Sequence, residues 1–311
     1  MQNNGLVKRG FFSKVKKYRV LLLMLLPAVI YTIIFCYLPM SGIILAFKDF
    51  NYRDGIFGSP FSGFENFEFF FQSGQALKVT KNTVLYNLVF IVMNTFFQLT
   101  VAILLTEVKS QRFKKTAHSF MFLPYFISWV VVSSICYDLL SPDYGLVNRF
   151  FVFLGLEKVD FYNNSFFWPF ILVFFNVWKN IGYGSVMYLA AITGIDTSLY
   201  EAAEIDGANV FQRIFRITIP ALRPTLIVLT LLALGGVFKG NFEMFYNLVG
   251  SNGLLYDTTD VIDTFTFRAL MQSNDFGMSA ASAFYQSILC FVTILIANFA
   301  VKKYDRDYSL F

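Results

Sequence analysis

Glu201-Ala202-Ala203-Glu204-Ile205-Asp206-Gly207-Ala208, running on to Ile217-Thr218-Ile219-Pro220, is a polar, helix-forming island between two long apolar runs. Asp196, Thr197 and Ser198 supply N-cap oxygens. Tyr200 to Ile205 is rich in Ala and Glu, which favour helix, and Gly207 stands where a tight turn needs a residue free of side-chain clash. From Ala208 an amphipathic stretch through Val210, Phe211, Ile214, Phe215 and Ile217 leads to Pro220. The pattern predicts a helix, a glycine turn and a second helix. Small Ala202 and Ala203 permit close approach to a partner groove, and Glu201 offers a charge for a basic residue there.

The rest of the chain is of another kind. Of 311 residues, 56% are hydrophobic, 19% aromatic and only 14% charged, with 40 Phe. A chain this apolar has too little polar surface to cover a soluble globule, so part of its surroundings is lipid. Runs long enough to span a bilayer fall at about 20–47, 83–106, 117–140, 166–192, 222–249 and 282–301. They are unbroken, without the short in-out alternation of a membrane barrel, and predict an all-α membrane protein of six transmembrane helices.

Basic residues set the orientation. Lys8, Arg9, Lys14, Lys16, Lys17 and Arg19, then Lys109, Arg112, Lys114 and Lys115, then Arg213, Arg216 and Arg223, then Lys302, Lys303 and Arg306 fall on one side. The other holds Lys48, Arg53, Lys78, Lys81, Arg149, Lys158 and Arg268. The bias predicts cytoplasmic termini and a cytoplasmic Glu201 loop. It also accounts for the +5 net charge without nucleic acid. The expected organisation is a basic tail at 1–19, a permease domain at 20–301 with the loop at about 196–220, and a second tail at 302–311. The segment from Gly5 to Tyr18 reads either as a short interfacial amphipathic helix or as a basic tail serving topology alone. The apolar run after Arg19 is too long for a signal-peptide core and reads as the first span.

Catalytic chemistry is hard to find. Cys36, Cys136 and Cys290 lie inside expected spans without paired spacing, and His118 is the only histidine, so neither set predicts a metal or redox centre. There is no G-x-x-x-x-G-K-[ST] loop to hold ATP. Any driving energy is expected from another chain.

The long pattern resembles the EAA loop of the inner-membrane permease subunits of binding-protein-dependent ABC importers. The spacing E-A-A, three residues, G, nine residues, I, one residue, L-P is met by Glu201, Ala202, Ala203, Gly207, Ile217 and Pro220, with Ile219 for the usual Leu. Tyr200, Asp206-Gly207-Ala208, Asn176-Val177-Trp178 with Gly182 and Tyr183, and Asn241-Phe242 with Tyr246-Asn247 look like the carbohydrate-uptake group, the maltose-type and oligosaccharide permeases. The resemblance implies a type I ABC importer permease (MetI-like) architecture in the plasma membrane of a Gram-positive bacterium. It implies a second homologous permease subunit, two cytoplasmic ATPase subunits that bind ATP and Mg, and an extracellular sugar-binding lipoprotein. It implies no cofactor in this chain. Glu201, Ala202, Ala203, Asp206 and Gly207 would be its ATPase-coupling residues, in loops that closure of the ATPase dimer draws together to turn the membrane cavity outward.

Polar groups inside spans usually face a watery interior. The fourth expected span holds Asn176, Trp178, Lys179, Asn180 and Tyr183, and the fifth holds Lys239, Asn241, Glu243, Tyr246 and Asn247. Planar amides and aromatic faces are what a sugar ring needs. Carried over from the family by spacing, Lys179, Asn180, Tyr183 and Asn241 are expected to contact an oligosaccharide, with Trp178, Lys239 and Glu243 beside them. Lys179 departs from the apolar residue of the maltose-type pattern, and with Lys239 it would favour an acidic, uronate-containing substrate. Other readings stand beside these: a mutual i,i+4 ion pair for Lys239 and Glu243, an interfacial anchor for Trp178, helix bridges for Asn176 and Asn247. Gly235-Gly236, with Gly240 four residues on, mark a bend or close approach in the fifth helix. Another small polar solute is the alternative substrate. An ion-coupled secondary transporter would not need the cytoplasmic helix-turn-helix, and no paired carboxylates or nucleophile argue for an enzyme.

Overall fold

The computed structural model describes residues 17–304. Residues 5–16 of the expected amphipathic tail, and the end of the second tail, lie outside them. Among the described residues the secondary structure is helical, with one isolated bridge between Lys48 and Phe61 and no strand.

Three stretches are long and apolar enough to cross a membrane: Arg19–Phe47, Gln75–Glu107 and Phe276–Lys303. Two bent helix pairs raise the number to five. The first stretch begins as α1 (Arg19–Thr32) and continues through a π-turn, Ile33–Tyr37, into a 3-10 segment, Leu38–Phe47. Its residues 19–40 are all exposed. A short helix, α2 (Glu65–Gln72), precedes the long α3 (Gln75–Glu107). Of its aromatic run, Phe70 is fully buried against Phe265 and Tyr285, whereas Phe64, Phe69 and Phe71 stay exposed.

The expected third span at 117–140 is not straight. Helix α4 (Gln111–Phe126) meets α5 (Trp129–Leu140) at 100°. Pro124 lies in the last turn of α4, Ile127 is extended, and Ser128 caps α5 by accepting from the Val131 N–H. The fourth span is α7 (Trp168–Thr193), reached through α6 (Leu146–Phe153). At 26 residues it is about 39 Å long, enough to cross the hydrocarbon core. Asn176, Lys179 and Asn180 lower its hydropathy, and it is not among the spans identified by composition.

Helix α7 is the centre of the bundle, packed between α3 and α4. Glycine makes this possible on both sides. A Cβ on Gly182 would strike the backbone of Met121 in α4, and one on Gly184 would strike the Gln98 side chain of α3. His118 fills the same seam, its Nε2 at 3.3 Å from both the Gly182 carbonyl and the Ser185 hydroxyl.

After the polar island, α8 (Thr197–Ile205) and α9 (Val210–Arg213), the chain passes a π-turn and a short helix to α10 (Arg223–Leu234). The expected continuous fifth span at 222–249 is corrected here. Helix α10 stops at Leu234, residues 235–241 are unwound, and a separate α11 (Phe242–Val249) follows. The Gly235-Gly236 pair is where the helix ends. Last come α12 (Ile262–Met271) and α13 (Phe276–Tyr304).

Candidate functional site: a coupling loop and a membrane cavity

The polar island folds as its residues suggest. Asp196 caps α8, its Oδ1 accepting from the Ser198 N–H at 2.9 Å, and that bond holds its carboxyl below the usual carboxylate range. Gly207 ends the helix at φ +77°; the Gly207 N–H donates to Glu204 O at 3.0 Å and the Ala208 N–H to Ala203 O at 2.9 Å. These two bonds form a Schellman turn, so the carbonyls of Ala203 and Glu204 are satisfied by the turn itself. Asn209 and Gln212 then form a reciprocal capping box that starts α9. Arg213 reaches back across the turn to pair with Glu204 and stands 3.9 Å from Glu107 at the end of α3. Tyr200 and Thr218 bond through their hydroxyls at 2.9 Å.

The loop is therefore braced to itself and to α3, while its outer surface is bare. Glu201, Ala202, Asp206 and Gly207 are exposed and Ala203 is half-buried. Ile205 (86% exposed), Phe211 (72%) and Phe215 (65%) stand around them. Large apolar side chains on a rigid polar loop mark a protein docking surface.

A second site lies within the bundle. A cavity of about 620 Å³ opens between α3, α7, α10 and the unwound stretch. Asn180 and Tyr183 of α7, and Lys239 and Asn241 of the stretch, line it. So do Asn87, Asn94 and Gln98 of α3, which fall on one helical face in a run otherwise apolar. That spacing is visible in the sequence and was the signal missed. Asn94 donates to the Asn176 Oδ1 at 2.7 Å, the helix bridge expected of Asn176, and its own Oδ1 has no partner among the described residues. Gln98 donates to Asn180 O at 3.2 Å. Tyr183 stacks on Tyr125 with ring centroids 4.1 Å apart and planes within 5°. Lys239 is the only cation in the lining and no carboxylate joins it.

Three expected contacts lie elsewhere. Lys179 points away from the cavity, where its ammonium donates to the carbonyls of Pro124 (3.1 Å), Tyr125 (2.8 Å) and Ile127. These are carbonyls that α4 leaves without helical partners at its bend, and a cation beside a helix C-terminus is doubly favoured. The rings of Tyr125 and Trp129 flank it at 5.8 and 5.3 Å. Trp178 sits in mid-helix, not at an end, and lines a separate, largely apolar groove between α3 and α7. Glu243 is exposed on the first turn of α11 and is not in the cavity wall. The i,i+4 pair of Lys239 with Glu243 does not form, because Lys239 precedes the helix and Asn241 caps it through the Met244 N–H at 3.1 Å. Asn247 bonds back to Glu243 O in its own helix rather than bridging to another.

Similar proteins give this architecture a family. The family described as binding-protein-dependent transport system inner membrane component matches residues 78–306. Protein LplB of Bacillus subtilis (strain 168) is 31% identical over 298 residues, 96% of this chain and 93% of that protein. The polygalacturonan/rhamnogalacturonan transport system permease protein YteP of the same organism is 33% identical over 304 residues, again 96% and 93%. A chain of a bacterial ABC transporter involved in the import of the acidic polysaccharide alginate superposes with a TM-score of 0.86 at 33% identity, covering 94% of this chain and 98% of that one. A bacterial alginate ABC transporter in complex with an alginate pentasaccharide-bound periplasmic protein gives 0.85 at 32% identity. The chain belongs to the family of inner membrane components of binding-protein-dependent transport systems.

Proposed function

We propose that this chain is one of two permease subunits of an ABC importer that takes up acidic oligosaccharides, with both termini and the Thr197–Ile205 loop in the cytoplasm. The observation that carries the reading is the cavity wall: amides, two phenols and one ammonium, with no carboxylate. Amides and aromatic faces suit sugar rings, and Lys239 adds a charge for a uronate. The names of YteP and of the alginate transporters point the same way. Two cytoplasmic ATPase subunits would supply ATP hydrolysis, an extracellular binding protein would deliver the sugar, and the exposed loop around Glu201 would seat in an ATPase cleft.

The test is uptake into proteoliposomes containing the four-subunit complex and its binding protein. Galacturonate oligomers are expected to enter in preference to neutral oligomers of equal length, and Lys239→Ala to lower acidic uptake about tenfold while sparing the neutral background. Preferred uptake of neutral oligomers that is indifferent to Lys239 would overturn the acidic reading.

A further inference from the structure

Breaking a helix inside a membrane frees backbone groups that water cannot satisfy, so they must find partners in neighbouring side chains. The stretch from Val237 to Gly240 does so through three elements at once. Asn87 of α3 donates to Val237 O at 3.0 Å and Lys239 O at 3.2 Å. Gln286 of α13 donates to Phe238 O at 2.8 Å. The Gly240 N–H donates to the Asp263 Oδ2 at 2.6 Å, and the same oxygen accepts from Gln286 at 2.7 Å.

Asp263 is the acceptor that joins the two sides of this clamp. A charged acceptor makes the stronger hydrogen bond, and Asp263 stands on a firm base, since Val261 and Ile262 beside it are fully buried. The contact also explains Gly240 without reference to a helix dimer: a Cβ there would meet the Asp263 Oδ2 at 2.8 Å and the Val261 Cγ2 at 2.9 Å. Lys239 and Asn241, the cavity residues of the stretch, flank the clamped glycine.

We propose that Asp263 is a positioning residue for transport, holding the unwound stretch so that Lys239 and Asn241 face the cavity. It touches no substrate and acts through Gly240 and Gln286. The functional meaning rests on the cavity being the sugar path, as proposed above, but the geometry can be tested without a sugar.

The experiment places one reporter thiol in the purified complex, with Cys36, Cys136 and Cys290 replaced by Ser. Lys239→Cys reports on the stretch and Met187→Cys on the same cavity from α7. With 2-sulfonatoethyl methanethiosulfonate as probe, Asp263→Ala is expected to change the labelling rate at position 239 about tenfold. The rate at 187 should stay as it was, and Asp263→Asn, which retains an acceptor oxygen, should restore most of the original rate at 239. Equal changes at both positions would show general loosening and overturn the assignment, as would no change at either. Should Asp263→Ala fail to assemble, Gln286→Met removes two bonds of the clamp and carries the same expectation. In uptake of trigalacturonate, the loss caused by Asp263→Ala should largely vanish in a Lys239→Ala background. If labelling responds as expected but no acidic sugar is transported, the substrate reading fails and the positioning role stands.

Discussion

The Lys179 ammonium donates to the Tyr125 carbonyl oxygen at 2.8 Å, joining the middle of α7 to the corner between α4 and α5. Replacing Lys179 by Met keeps much of the volume but leaves the carbonyls of Pro124, Tyr125 and Ile127 without this donor. A buried polar group stripped of its partner costs about 1–3 kcal/mol. The purified complex should therefore melt several degrees lower, and Lys179→Arg should recover part of the loss. An unchanged melting temperature in Lys179→Met would show that the corner holds itself.

The two glycines of α7 make different predictions. At Gly182 an added methyl runs into the Met121 backbone, which cannot move without shifting α4. At Gly184 it meets the end of the Gln98 side chain, which can swing away. Gly182→Ala should cost about 1–3 kcal/mol and reduce recovery of the complex. Gly184→Ala should be milder in stability and show its effect in uptake, because Gln98 lines the cavity. Parallel melting curves and uptake assays separate them, and equal destabilisation would contradict the packing described.

On the coupling loop, Glu201→Lys should abolish uptake at normal membrane abundance, with purified ATPase subunits no longer retained. Phe211→Asp should act alike, since an exposed ring contributes little to the fold of its own chain. Gly207→Val should weaken coupling for another reason: a β-branched residue is strained at φ +77°. Wild-type uptake in Glu201→Lys would remove the docking role.

At the other end of the bundle, Arg268 pairs with Asp260, whose side chain is 2% exposed, and Thr264 bonds the same carboxylate at 2.8 Å. Arg268 also lies 4.1 Å from the centre of the Tyr256 ring. Arg268→Ala would leave a buried charge unpaired, a loss of about 3–5 kcal/mol. Failure of the variant complex to survive purification at 37 °C, with recovery in an Arg268→Ala, Asp260→Asn double variant, is the expected pattern.

How much of this was legible in the sequence depends on where each residue finds its partner. The loop was readable because its determinants are local: a capping Asp196, Ala and Glu in the helix, and a glycine where φ turns positive. The end of α10 was readable at Gly235-Gly236, but its consequence was not followed through. Once the helix stops, Lys239 and Glu243 are no longer one turn apart, and their charge complementarity along the sequence means nothing in space. Lys179 misled for a different reason. Its partners are carbonyls freed by a 100° corner in another helix, and a backbone acceptor leaves no mark in the residue alphabet. Asn87, Asn94 and Gln98 were there to be read as a polar face.

The exposed first span carries a last consequence, for biogenesis. Residues 19–40 make no buried contact with the rest of their own chain; only the later part, Leu38–Phe47, packs on α13. The newly inserted polypeptide thus holds a helix that folding of the monomer cannot seat. If the sister permease is what covers it, the orphan subunit should be short-lived in the cell. A pulse-chase with and without the sister gene would show whether assembly, rather than folding, decides its survival.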